Sequence, residues 1–262
     1  MTIILGKNST IHSNVSVDSN VNVIMGDCSS IGQDVVISGE GTLRIGDYVK
    51  VHRLCWLNVF SDIDVGHNSW IGEKSIIDGT ARLKIENNVL IGAASQVWTH
   101  VAGGDAFSGC RIRCSKSITI ENNAWLCAGV LLQASNVSSR VVVFAGSNVT
   151  SDICAANTIW SGNPAIDITN VSGGKPWVDV TVEQKLQKFD LLLKMYEREV
   201  CKNYHRKFVA VSDLCDKIDQ QDDVTYFSMH DCTYVKTQSD DEQSFMKWLL
   251  RQNKAKFTPV IL

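Results

Sequence analysis

Proton chemistry near neutral pH falls naturally to imidazole, the side chain whose ordinary charge change lies in that range. The chain carries six histidines, at His12, His52, His67, His100, His205 and His230. Five have nothing in their surroundings to single them out and read as corner or surface residues. His100 is different. It closes the run Val97-Trp98-Thr99-His100, at the root of an excursion that interrupts an otherwise regular pattern. A neutral imidazole there is suited to take a proton from a hydroxyl as that hydroxyl attacks. Asp105 is the first carboxylate within the excursion. It could orient His100 or contact a substrate, and reads more simply as a solvated loop charge.

Other chemistries are poorly served. The nine cysteines include no CxxC pair, and the one close pair, Cys110 and Cys114, lacks a second pair to complete a zinc site. They read as buried free thiols in a reducing cytoplasm. A formal net charge of -3 with no block of Lys and Arg argues against a nucleic-acid partner. The opening MTIILGKNST has no basic segment followed by an apolar stretch, so no signal peptide is expected. No apolar run reaches the about 18 residues a membrane span needs. A cytoplasmic address is expected.

The elements that position His100 are written in a repeat. Leu43-Arg44-Ile45-Gly46, Ile63-Asp64-Val65-Gly66 and Leu83-Lys84-Ile85-Glu86 follow one another every 20 residues. A fourth copy, Ile118-Thr119-Ile120-Glu121, arrives 35 residues after the third, one period plus 15 extra residues. Within each period aliphatic residues step by six: Ile45, Val51, Leu57; Val65, Ile71, Ile77; Ile85, Ile91, Val97; Ile120, Leu126, Leu132. That step matches neither an amphipathic helix nor a two-sided strand. It predicts a prism with three short strands per turn, stacked coil on coil, with Gly, Asn and Asp at corners where φ is often positive. The looser series Ile11, Val17, Val23 and Ile31, Ile37, Leu43 extends the prism toward the N-terminus. The 15 extra residues leave it between Val97 and Ile118, as an insertion over about 99–117.

The closing coils carry more specific text. Trp125-Leu126-Cys127-Ala128-Gly129, Ala145-Gly146-Ser147-Asn148-Val149-Thr150-Ser151-Asp152-Ile153 and Gly162-Asn163-Pro164-Ala165 resemble the terminal coils of hexapeptide-repeat acyltransferases. Among these, the chain looks most like the enzymes that O-acetylate bacterial surface polysaccharides, capsular sialic-acid O-acetyltransferases included. The resemblance implies a left-handed parallel β-helix over 1–170, acetyl-CoA as acyl donor, a saccharide acceptor and no metal. It also implies a homotrimer with active sites between subunits. In the family a loop leaves the prism where this insertion does, and the catalytic histidine sits at its base; His100 matches that position as general base. Trp125, by the same resemblance, lines the acyl or pantetheine end and can donate to a developing oxyanion. The backbone around Ala128, Gly129, Ala145 and Gly146 is expected to run beside the pantetheine arm, with Thr150 from the same motif. Two departures stand out. Ser151 replaces a frequent Lys and Ala165 is followed by Ile-Asp, which leaves Lys175 or Arg140 as substitutes for the missing phosphate contact.

After Gly173-Gly174-Lys175-Pro176 the six-residue step ends. Residues 171–262 read as a small α+β extension. It holds a helix over Val182–Asn203 capped by Thr181 and Gln184, strands within Lys207–Val211 and Val224–Val235, and a second helix from Ser239-Asp240-Asp241-Glu242 through Arg251. Besides O-acetyl transfer, two readings remain open: an N-acetyltransferase acting on a nucleotide-linked amino sugar, and a non-catalytic structural solenoid. The zinc carbonic-anhydrase version of this solenoid needs a histidine pair five residues apart, and Ser95 stands in that place.

Overall fold

The computed structural model describes residues 1–200, 202, 204, 207–214 and 224–260. The expectations that fall on Cys201, Asn203, His205 and Cys215 lie outside these residues. Contacts divide the chain into Met1–Trp177 and Val178–Leu262. The first unit extends past the last hexad because Trp177 exchanges two hydrogen bonds with the side chain of Asn157 in the final coil, each 3.0 Å.

The first unit is a parallel β-helix. Its strands stack into sheets of six, nine and seven members, which form three faces. Aliphatics six residues apart occupy equivalent places on successive faces, so each stacks on its counterpart one coil away. On the first face Ile45, Val65, Ile85 and Ile120 pair in register. The second face stacks Val51, Ile71, Ile91 and Leu126, and the third Leu57, Ile77, Val97 and Leu132. Each of these residues is at most 4 % exposed. Burying one such side chain stabilises the fold by about 1.5–3 kcal/mol, and the rows supply a continuous core.

Short acceptor side chains secure one corner. Asp27, Asp47, His67, Asn87 and Asn122 each accept from a backbone N–H of the preceding coil, at 2.6–3.0 Å. His67 is thus a corner residue with a fixed role: its Nδ1 accepts from Asp47. His52 packs edge-on against Trp70, with ring centroids 4.6 Å apart. Cys55 is buried, its thiol pushed up to about 11 by burial. Cys114 and Cys154 are exposed, which corrects the reading of the cysteines as uniformly buried: both stand where a loop or corner faces outward.

Gly92 meets the next coil more closely than a side chain allows, since a Cβ there would run into the backbone of Cys127 and Ala128. Gly92→Ala is therefore expected to destabilise the unit by about 1–3 kcal/mol. Urea unfolding measures this directly, and an unchanged midpoint would show that the coils separate freely at this corner.

The second unit is built on helix α1, Val182–Val200, whose start has a reciprocal capping box. Gln184 N–H donates to Thr181 Oγ1 at 3.3 Å and Thr181 N–H to Gln184 Oε1 at 3.0 Å. Phe189, Leu192, Leu193 and Tyr196 form its buried stripe. Helix α2 covers Asp240–Trp248 with Ser239 as cap, and a π turn carries the chain on through Leu249–Asn253. Four strands form the sheet, in the order Phe208–Val211, Thr225–Ser228, Thr233–Val235 and Thr258–Val260. The last of these escapes sequence reading because it is three residues long and centred on Pro259, which only an edge position tolerates.

Candidate active site

The 15 extra residues form an antiparallel hairpin. His100–Ala102 pairs with Arg113–Ser115, and His100 lies opposite Ser115. The insertion leaves the prism undisturbed: Leu83 pairs with Ile118 and Val97 with Leu132, so the coils close beneath it. His100 follows the third-face strand Gln96–Trp98 and stands at the corner leading to the first face.

Its partner is a carboxylate that sequence reading did not select. His100 Nδ1 lies 2.9 Å from Oδ2 of Asp78. Asp78 is fully buried and heavily hydrogen-bonded. Oδ2 also accepts from Thr99 N–H at 3.0 Å and Thr99 Oγ1 at 2.7 Å. Oδ1 accepts from Asn58 Nδ2 at 2.8 Å and Thr80 Oγ1 at 2.7 Å. Burial alone would raise the carboxyl pKa. The hydrogen bonds from His100, Thr80, Thr99 and Asn58 outweigh it and hold the group at about 2.

A carboxylate only accepts hydrogen bonds, so Nδ1 of His100 carries the ring proton in the neutral imidazole. Nε2 is left with its lone pair and has no hydrogen-bond partner among the described residues. With 29 % of the side chain exposed, that lone pair is accessible. This arrangement can act as an oriented general base.

Asp78 lies 22 residues before His100, one coil back. Its signal in the sequence was its column: Asn58 occupies the same register position one coil earlier, where a polar residue shares a strand with core aliphatics. Asp105, the carboxylate considered for this role, is exposed, and it accepts from Phe107 N–H at 2.9 Å and Ser108 Oγ at 2.6 Å.

The depressed pKa has a consequence for stability. Asp78 stabilises the folded state above its ordinary value of 3.8, and that contribution disappears as pH falls through about 2. It amounts to about 2 kcal/mol at neutral pH. The stability difference between the parent and Asp78→Asn should therefore shrink steadily from pH 5 to pH 2 in urea unfolding. A difference that stays constant over this range would refute the assignment.

The other residues read from sequence lie elsewhere on the prism. Trp125 is on the outer side of the second face, in register between Leu90 and Val142, and is 45 % exposed. Ala128, Gly129, Ala145 and Gly146 form an exposed shelf at the corner between the second and third faces. A Cβ at Gly146 would meet nothing within 4 Å, so the shelf is open. The N–H groups of Gly129 and Gly146 are already committed to Ala93 and Ala128 carbonyls of the coil below, at 2.9 and 3.0 Å. The N–H groups of Ala128 and Ala145 have no hydrogen-bond partner among the described residues. Thr150, Ser151 and Lys175 are exposed near the end of the solenoid, and Arg140 is exposed at a corner with φ of 56°. Within one chain, His100 and the shelf thus occupy two different corners, and Trp125 a third location. A groove of about 330 Å³ on the first face, beside Arg44, Asp64, Lys84 and Glu86, contains none of these residues. Among the described residues, no three His, Cys, Asp or Glu side chains are grouped to hold a metal ion.

Comparison with known proteins places this architecture. No family model matches the chain. The solved structure of NeuO, a polySia-specific acetyltransferase, superposes with a TM-score of 0.54 at 20 % identity, over 76 % of this chain and 94 % of that one. This chain shares the β-helix fold of that acetyltransferase. OatWY, a polysialic acid O-acetyltransferase, is 19 % identical with a TM-score of 0.45, over 69 % of this chain and 92 % of that one. A bifunctional GlmU protein from Clostridium acetobutylicum is 25 % identical over 130 residues, which is 48 % of this chain. The matched stretch spans 27 % of that curated relative's length. In hexapeptide-repeat terms, the aliphatic every sixth residue is the inward row, and the hairpin at Val97–Ile118 is an insertion between two coils. No helix among the described residues is long and apolar enough to cross a membrane.

Proposed function

We propose that the protein is an acetyl-CoA-dependent O-acetyltransferase acting on a sugar hydroxyl of a bacterial surface polysaccharide or its precursor, in the cytoplasm. The observation that carries this reading is the Asp78–His100 pair at the root of the hairpin, with Nε2 free and accessible. In the reaction, Nε2 removes the proton of the acceptor hydroxyl while its oxygen bonds to the thioester carbonyl carbon. The tetrahedral intermediate then collapses, the carbon–sulfur bond breaks, and the imidazolium returns the proton to the departing thiolate. Asp78 keeps Nδ1 protonated throughout and offsets the positive charge that forms on the ring. The free Ala128 and Ala145 amides suit the pantetheine arm, and NeuO, which shares the fold, is polySia specific.

A homotrimer forms part of the proposal, because the predicted residues do not converge within one chain. The outward rows support it. The outward row of the first face runs Ile4, Ile24, Arg44, Asp64 and Lys84, that of the second Ser30, Lys50, Trp70, Leu90 and Trp125, and that of the third Val36, Trp56, Ile76 and Gln96. The apolar stretches Trp70–Leu90–Trp125 and Val36–Trp56–Ile76 suit a ring in which one chain's second face meets the next chain's third. Phe107 and Ile112, at 104 % and 70 % exposure, crown the hairpin that would reach across.

The test is thiol release from acetyl-CoA with a panel of sialylated and neutral saccharides. Acceptor-dependent release supports the transferase. Absence of release together with absence of acetyl-CoA binding by titration would replace it with a structural solenoid.

A further inference from the structure

The hairpin register brings a cation to the same surface as the base. Directly opposed residues of an antiparallel pair project to one side, and so do residues two apart along a strand. His100 opposes Ser115 and Ala102 opposes Arg113, so Arg113 shares a hairpin face with His100, two rungs away. Two rungs correspond to about 7 Å of strand.

Arg113 is exposed and, among the described residues, stands beside no carboxylate. Arg44, Arg53, Arg82, Lys84 and Lys116 each lie within 3.3 Å of a carboxylate. Among the described residues the Arg113 guanidinium has only the neutral carbonyl of Gly104, at a long 3.4 Å. Asp105, the carboxylate of the same loop, is engaged by Phe107 and Ser108.

Beside a general base this is an unfavourable arrangement unless something answers it. His100 becomes a cation as it takes the proton, and an unneutralised guanidinium nearby opposes that change. An anion bound to Arg113 in the reacting complex removes the opposition and aligns the group that bears it. Guanidinium presents paired donors that match a carboxylate with two parallel hydrogen bonds. We infer that Arg113 binds a carboxylate of the acceptor, so that the acceptor is an acidic saccharide whose acid group lies on the hairpin beside the hydroxyl being acetylated. This deepens the transferase reading above and rests on it.

The experiment uses a sialic acid oligomer and the same oligomer with its carboxyls reduced to alcohols. With the parent protein, the acidic oligomer should have a KM roughly ten- to a hundredfold below the reduced one, the range that charge-assisted hydrogen bonds supply. Arg113→Ala should erase that preference while the KM for acetyl-CoA stays within about threefold, and Arg113→Lys should restore part of it. Equal use of both oligomers by the parent overturns the inference and leaves the transferase standing. A rise in the KM for acetyl-CoA instead overturns it by assigning Arg113 to a coenzyme phosphate. Binding of both oligomers is also followed without acetyl-CoA, so that the inference is judged even where no transfer occurs. Charge-selective binding lost in Arg113→Ala supports it, and binding indifferent to charge or to the substitution overturns it.

Discussion

His100→Ala should lower acceptor-dependent thiol release from acetyl-CoA by about 10²–10⁴ in kcat, the usual contribution of a positioned general base. The fold should survive the change. Asp78 keeps hydrogen bonds from Thr99, Thr80 and Asn58, so its buried charge is not abandoned when the imidazole is removed. The hairpin keeps its pairing from Val101 and Ala102 to Cys114 and Arg113. Added imidazole should therefore recover part of the lost rate in the variant, since the cavity and its acceptor remain. Steady-state kinetics settle the matter: a variant with parental kcat would keep the enzyme class and remove His100 as its base.

The second large effect concerns a residue that need never touch substrate. Asp78→Asn preserves shape but replaces one acceptor-only carboxylate with an amide that also donates. An amide N–H directed at Nδ1 forces the ring proton onto Nε2, where it blocks the lone pair that catalysis needs. A loss of about 10²–10⁴ in kcat follows from holding the wrong tautomer. The KM for acetyl-CoA should change little, because the shelf at Ala128 and Ala145 lies at another corner. Asp78→Glu separates tautomer from placement: it keeps the charge but lengthens the side chain in a fully buried setting, so it should lose activity through displaced geometry and also lose stability. Should Asp78→Asn retain kcat within about threefold of the parent, the pair would be a structural contact rather than a functional one.

The two variants also differ in what they do to the rest of the molecule. His100 sits at the surface of the solenoid with part of its ring in solvent. Asp78 is tied to residues of three successive coils, Asn58, Thr80 and Thr99 with His100. Its substitution should therefore lower the unfolding midpoint as well as the rate, and the acid dependence of that loss distinguishes a missing charge from a packing fault.

Much of this was legible in the chain itself. A β-helix has an interior that repeats, so its aliphatic rows appear as a period that can be counted: Ile45, Val65 and Ile85 are register partners because they are 20 residues apart. The insertion was equally plain, since 15 residues too many between Ile85 and Ile120 must leave a prism whose coils still stack. The capping box at Thr181 and Gln184 is local and was read from four residues.

What sequence reading could not supply was anything set by distance between coils. Asp78 and His100 meet because the helix pitch stacks one coil upon the next, and nothing in the local text at either position announces the other. Asp105, nearer in sequence, turns back onto its own loop. The amides of Gly129 and Gly146 looked available because small residues open a backbone to ligands, yet the coil-to-coil ladder had already taken them. Periodicity, insertion and local caps are properties of order along the chain, and the sequence alone determines them. The orientation of His100, the cation shared with its hairpin face, and the separation of base and shelf onto different corners depend on through-space packing. Only the tertiary structure decides those, because side chains that are remote in sequence compete there for the same buried donors and acceptors.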